Sequence, residues 1–171
     1  MNSTAVDVLI LPIDLETHRS AQKLSQQQTN PKNAKQVYLN TLAVHAVNFY
    51  LQYMEIETDL AASEIWNPAV QKFMDVADLE VQDIGNLECR WVAPGEDFVT
   101  IPAEVRSDRI GYIAVEMAES LKEVKLLGFV KKVDREQVGV SELESIENLL
   151  KYLHEIKPVN LNQWLQLMHA D

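Results

Sequence analysis

The stretch from Asn30 to Glu55, NPKNAKQVYLNTLAVHAVNFYLQYME, decides the architecture. Asn30 offers a side-chain oxygen to the free N–H groups of a first helical turn, and Pro31 fits that turn without loss of a bond. From Val37 onward apolar residues occupy most of the circumference: Val37, Tyr38, Leu39, Leu42, Ala43, Val44, Ala46, Val47, Phe49, Tyr50 and Leu51. One polar stripe breaks the pattern, Thr41, His45, Asn48 and Gln52, at steps of four, three and four. A helix apolar nearly all round belongs in the middle of a fold. The pattern predicts a buried helix over 31–55, roughly 37 Å long.

Upstream, Val6, Val8, Leu9, Ile10 and Leu11 read as a strand over 5–12, closed by Pro12. Asp14 caps a polar helix over about 15–28. Downstream, Asp59 opens a short helix near 59–65 that Trp66 anchors. Asn67-Pro68 repeats the capping device and starts a helix over 68–76, with Val70, Phe73, Met74 and Ala77 on one face.

After Ala77 the period changes to two. Leu79 and Val81 alternate with polar residues, Ile84-Gly85-Asn86 turns, and Leu87, Cys89 and Trp91 alternate with Glu88 and Arg90. This is a hairpin with one apolar and one polar face. Pro94 to Asp97 is a turn, and Phe98 to Ile101 a short strand. Arg109–Met117 and Val124–Val133 pair as strands apolar on both faces, which places them centrally in a sheet. Ser141-Glu142-Leu143-Glu144 reads as a capping box for a helix carrying Leu143, Ile146, Leu149, Leu150 and Leu153. Pro158 ends it. Asn160 caps a last helix whose Leu161, Trp164, Leu165 and Met168 share one face.

The expected class is α+β: an N-terminal helical layer with a long buried helix, an antiparallel β-meander of about five strands, and C-terminal helices. Residues 1–158 form one domain, and 159–171 a short amphipathic helix. A chain of 171 residues with 47% hydrophobic content suits a single domain.

Charge narrows the partners. Fifteen Lys and Arg face 26 Asp and Glu, a net charge of -11. The phosphate backbone repels such a chain, so no nucleic acid is expected as a direct partner. Anionic membranes are disfavoured for the same reason, and a protein with a basic face is attracted. The local basic set Lys122, Lys125, Lys131, Lys132 and Arg135 is interleaved with acids and reads as a solvated surface. No run approaches the roughly 20 apolar residues of a membrane span. The first 14 residues lack the basic start of a signal peptide. The single cysteine, Cys89, fits a reducing, cytoplasmic compartment.

Four segments now stand together: the opening Asn30-Pro31 helix through Leu51, Trp66-Asn67-Pro68 through Glu80, Gly85-Asn86-Leu87-Glu88-Cys89-Arg90, and Asp108-Arg109-Ile110-Gly111-Tyr112-Ile113-Ala114-Val115-Glu116 followed by Leu126-Leu127-Gly128-Phe129-Val130. Over roughly residues 10–155 they resemble the cyanobacterial family known as domain of unknown function eighteen twenty-two. The resemblance brings no catalytic residues. It implies a cytoplasmic protein with a regulatory or adaptor role, linked to alternative sigma factors and signalling proteins, and relatives that continue past the last helix.

Candidate sites follow from residue type. Thr41, His45, Asn48 and Gln52 are the candidate ligand-binding face, although one imidazole is too few for a metal. Leu161, Trp164, Leu165 and Met168 are the candidate partner-binding face, since apolar helix faces seat in grooves and Trp is a frequent anchor. Cys89 shares its face with Leu87 and Trp91 and is expected to be buried and inert. Glu88, Arg90, Asp108, Arg109 and Glu116 are expected to form solvated pairs on the outward side of the sheet. No catalytic residue, metal site or cofactor is expected, because neither a phosphate-cradling glycine loop nor a nucleophile elbow occurs. The leading expectation is a non-catalytic protein-interaction domain. The alternatives are a small-ligand binder or enzyme built on the His45 face, and a structural subunit that self-associates through 159–169.

Overall fold

The computed structural model describes residues 8–158 and 161–169, the side chains of residues 161–164 excepted. The two asparagine caps form as the sequence predicts. Asn30 Oδ1 accepts from the Lys32 and Asn33 N–H groups, and α2 runs Pro31–Tyr53. Asn67 Oδ1 accepts from Ala69 and Val70, and α3 runs Pro68–Phe73. Asp14 caps α1, Leu15–Ser25, through the Thr17 N–H. The strand β1 is Leu9–Pro12.

The 59–65 segment forms two single 3₁₀ turns, Leu60–Ala62 and Glu64–Trp66, preceded by the two-residue strand β2, Thr58–Asp59. On α3 the expected apolar face does not form: Phe73 is 78% exposed, and Gln71 is buried instead. The helix stops at Phe73, before Met74 and Ala77 complete a stripe. Gln71 Nε2 ties the helix to the carbonyls of Glu64 and Val76.

Strands β3 (Asp78–Val81), β4 (Gly85–Val92), β6 (Gly111–Met117) and β7 (Glu123–Val130) join β1 and β2 in a curled six-stranded sheet of order β1-β7-β6-β4-β3-β2. The sheet is mostly antiparallel, and the α+β class stands. It differs from a pure meander at one pair: β4 and β6 run parallel, with Leu87 opposite Gly111 and Trp91 opposite Val115. Parallel neighbours need a long crossover. Here it is residues 93–110, which carry β5 (Phe98–Thr100) and a 3₁₀ turn at Ala103–Val105. β5 leaves the main sheet and pairs with β8 (Gln137–Gly139) as a separate two-stranded sheet.

That crossover gives the sheet a covered second face. On the first face, Leu87, Cys89, Ile113, Val115, Leu126 and Phe129 pack in one core with α2 and α4. On the second, Tyr112, Ala114 and Val92 pack with Val99, Ile101, Val105 and Val138 in a smaller core. β6 is therefore apolar on both faces, as its sequence indicates.

The capping box at Ser141 is not a helix start. Val140–Glu142 is a 3₁₀ turn, in which Glu142 Oε2 accepts from the Gly139 N–H and Oε1 from Arg135. Helix α4, Ile146–Ile156, begins one turn later, capped by Ser145 through the Glu147 N–H. It buries Ile146, Leu149 and Leu153. The last helix, α5, is Leu161–Met168. Among the described residues no helix is long and apolar enough to cross a membrane.

Candidate functional site

The polar stripe of α2 spans three turns, so its members meet different neighbours. Thr41 is buried and donates to the Val37 carbonyl, 2.7 Å away, one turn back on its own helix. Asn48 and Gln52 converge on the Thr58 hydroxyl of β2. His45 stands apart from them. Its ring meets Trp66 edge-on at 5.9 Å, and it lines a small cavity of about 140 Å³ with Asp14, Thr17 and Phe49. Burial holds its pKa below the ordinary 6.5, with the Asp14 carboxylate pulling the other way. Its Nε2 is buried and has no hydrogen-bond partner among the described residues. The four residues thus do not line one cavity.

The charged residues of the sheet are the larger surprise. The expected solvated pairs are instead a buried ionic set. Glu88 is fully buried and Arg90 is 4% exposed. Glu88 accepts three donors: the Ala77 N–H at 2.7 Å, Arg90 Nη1 at 3.1 Å and Arg109 Nε at 3.0 Å. Arg90 continues the chain, its Nη2 pairing with Asp75 Oδ2 at 2.5 Å. Asp75 in turn accepts from Asn40 Nδ2 of α2 at 2.8 Å. Burial pushes the Glu88 pKa up, and Arg90 and Arg109 oppose that push. For Arg90, burial would lower the pKa, but the Asp75 and Glu88 carboxylates outweigh it and the net shift is upward. Three donors and no competing acceptor satisfy Glu88 as an anion.

The correction has a topological cause. Glu88 and Arg90 alternate with Leu87 and Cys89 as a polar face should, but the crossover and the Asp75–Ala77 segment lie over that face. Asp108 and Glu116 stay outside the set. Asp108 is exposed in a left-handed conformation, φ 61°, and Glu116 lies 3.9 Å from Lys125 on β7. Asp75 and Asn40 carry no sequence signal for their role. Asp75 is a lone polar residue between Met74 and Val76, and Asn40 stands beside Thr41 but off the polar stripe.

Cys89 is buried as expected. Burial pushes its thiol well above the ordinary range, and the Glu88 and Asp78 carboxylates add to the effect. Burial thus favours the thiol over the thiolate. Among the described residues, no group of three His, Cys, Asp or Glu side chains is placed to hold a metal ion.

Two larger concavities flank the ionic set. One is a cleft beside the first half of α2. Its apolar chamber, about 460 Å³, is walled by Tyr38, Leu39, Trp91, Met117 and Leu121. A polar chamber of about 360 Å³ adjoins it, where Asp75, Arg90 and Glu96 are reached; Lys35 and Trp91 belong to both. Tyr38 is fixed by His18, whose Nδ1 lies 2.6 Å from the phenol oxygen. The other concavity, about 490 Å³, is bounded by Arg106, Asp108, Arg109, Tyr112, Lys132 and Asp134. Lys35 and Trp91 escape sequence reading because they are separated along the chain and share a cleft only in the fold, and Arg106 because Lys132 joins it only there.

Of the candidate partner face, Leu165 is 41% exposed and Met168 60% exposed. The side chains of Leu161 and Trp164 lie outside the described residues.

The family described as protein of unknown function (DUF1822) matches residues 11–168, and the chain belongs to it. No curated protein and no solved structure matches the chain.

Proposed function

We propose that this family member is a non-catalytic regulatory domain that works by binding another protein. The observation that supports this reading is the exposure of Leu165 and Met168 on α5. They are apolar residues three apart on one helix, turned to solvent rather than onto the domain's own core. Such a face seats in a partner's groove. The net charge of -11 favours a partner with a basic surface. The regulatory setting in the cytoplasm, with an alternative sigma factor or signalling protein as partner, rests on the family resemblance.

The test is affinity capture of the tagged full chain from its native cell, beside a Leu165→Glu, Met168→Glu double variant. A defined protein recovered with the wild type and lost with the variant supports the proposal. Equal recovery with both moves the interface off α5, and recovery of no protein sinks the reading.

A second reading, a small-ligand binder, is favoured by the two-chambered cleft. Its apolar part falls within the several hundred cubic ångströms typical of ligand sites. Trp91 in its wall is a built-in reporter. In a Trp66→Phe, Trp164→Phe background, a ligand entering the cleft changes the remaining fluorescence, and a Lys35→Glu substitution weakens that response.

A further inference from the structure

We propose that the cavity bounded by Arg106, Arg109 and Lys132 binds a small multivalent oxyanion. The site is assembled by topology. The end of the crossover supplies Arg106 and Arg109, β6 supplies Tyr112, and the segment after β7 supplies Lys132.

Both guanidinium groups are held from behind. Arg109 Nε donates to the buried Glu88 carboxylate at 3.0 Å, and Arg106 Nε donates to the Ile101 carbonyl at 3.0 Å. Neither terminal nitrogen pair of these arginines has a hydrogen-bond or ion-pair partner among the described residues, and none is sealed from solvent. An arginine fixed through Nε and open at its two terminal nitrogens is arranged for two-point recognition of a carboxylate or phosphate. Lys132 is exposed and forms no ion pair among the described residues.

Charge points the same way. Three cations and two acids, Asp108 and Asp134, bound this cavity, yet neither acid pairs with a cation across it. In a chain of net charge -11 this is a local reversal of sign, and a concave wall concentrates the field of the cations that line it. The volume of about 490 Å³ exceeds what a bare phosphate fills. The cavity therefore has room for an anion larger than phosphate, above a floor that includes the buried Tyr112. The Tyr112 ring is fixed, because its hydroxyl donates to the Val105 carbonyl at 2.6 Å. Arg109 is the positioned anchor and Glu88 its support. Arg106 and Lys132 are the groups that can be changed without disturbing a buried charge.

Isothermal titration calorimetry on the full chain at low salt tests the site, with pyrophosphate as the phosphoryl probe and citrate as the carboxylate probe. The expected result is saturable one-to-one binding of at least one probe, weakened about tenfold by Arg106→Gln and by Lys132→Gln. Lys151→Gln, on the exposed side of α4, should leave it unchanged, and added salt should weaken it. Which probe binds tells phosphoryl from carboxylate ligands. Circular dichroism melts of each variant separate loss of binding from loss of fold, and exposed Lys132 carries the test if Arg106→Gln unfolds. The proposal is overturned if neither probe saturates below about 1 mM, or if the folded variants bind as the wild type does.

Discussion

Glu88 shows how far a single residue can depart from its local pattern. Placed between Leu87 and Cys89, it alternates like a solvent-facing strand residue, yet it is fully buried. Alternation reports which face a side chain takes and not whether that face is covered. Removing one partner of a buried ionic set leaves the others uncompensated. Glu88→Ala is therefore expected to destabilise the fold by about 3–5 kcal/mol in urea titration. Replacing the set by apolar residues of similar volume should cost far less. His45 behaves differently. Its folded pKa lies below the ordinary 6.5, so the unfolded chain binds a proton more readily. The stability it contributes is present above about pH 6.5 and is lost as pH falls toward the folded value. Melting temperatures measured from pH 7.5 down to 5.5, roughly across the ordinary histidine pKa, should fall less steeply for His45→Gln than for the wild type. Equal slopes would assign the pH dependence to other groups. Of the candidate ligand face, the sequence correctly places Thr41, His45, Asn48 and Gln52 along one side of α2. It cannot show that Thr58 takes two of them and Trp66 a third, because those contacts are made across the fold.

At the scale of elements, the helix starts were the most legible features, because a cap is decided by neighbours two or three residues away. Asn30, Asn67 and Asp14 all cap as read. Asn30→Ala is expected to cost about 1 kcal/mol, measurable by chemical denaturation. The misreading at Ser141 has a local cause too. Glu142 does reach back to a backbone N–H, that of Gly139, but it tightens a 3₁₀ turn and the helix waits for Ser145. Gly128 is the sharpest element-level constraint. It follows the β-bulge at which β6 and β7 shift register, and its φ is +150°. A Cβ there would collide with the Glu144 carbonyl oxygen, where β7 meets the segment leading to α4. Gly128→Ala should destabilise by about 1–3 kcal/mol or more and loosen α4 first. Hydrogen exchange would show that as early loss of protection at Leu149 and Leu153.

The whole molecule turns on the parallel pair. Both strands were legible, and the two-sided apolar character of β6 correctly placed it at the centre. Their relative direction was not, since nothing local distinguishes a hairpin return from the 93–110 crossover. Three features hidden from the sequence follow from it: the second core, the buried ionic set and the cavity around Arg106 and Arg109. α5 is the one element whose described side chains, Leu165, Leu167 and Met168, are exposed. A chain ending at Pro158 is accordingly expected to melt in one cooperative transition, within about 4 °C of the full chain, which corresponds to roughly 1 kcal/mol for a domain of this size. A larger drop would make α5 part of the domain's stability.

The pairing of β1 with β7 also sets a schedule for the chain during synthesis. Leu9 lies opposite Leu126, so β1 has no partner until β7 has left the ribosome. At about 5–20 residues per second that interval is on the order of ten seconds. Throughout it, a short apolar strand waits beside a half-built sheet. The nascent chain is thus most exposed to wrong pairing, and most in need of a chaperone, while the stretch between β1 and β7 is being made.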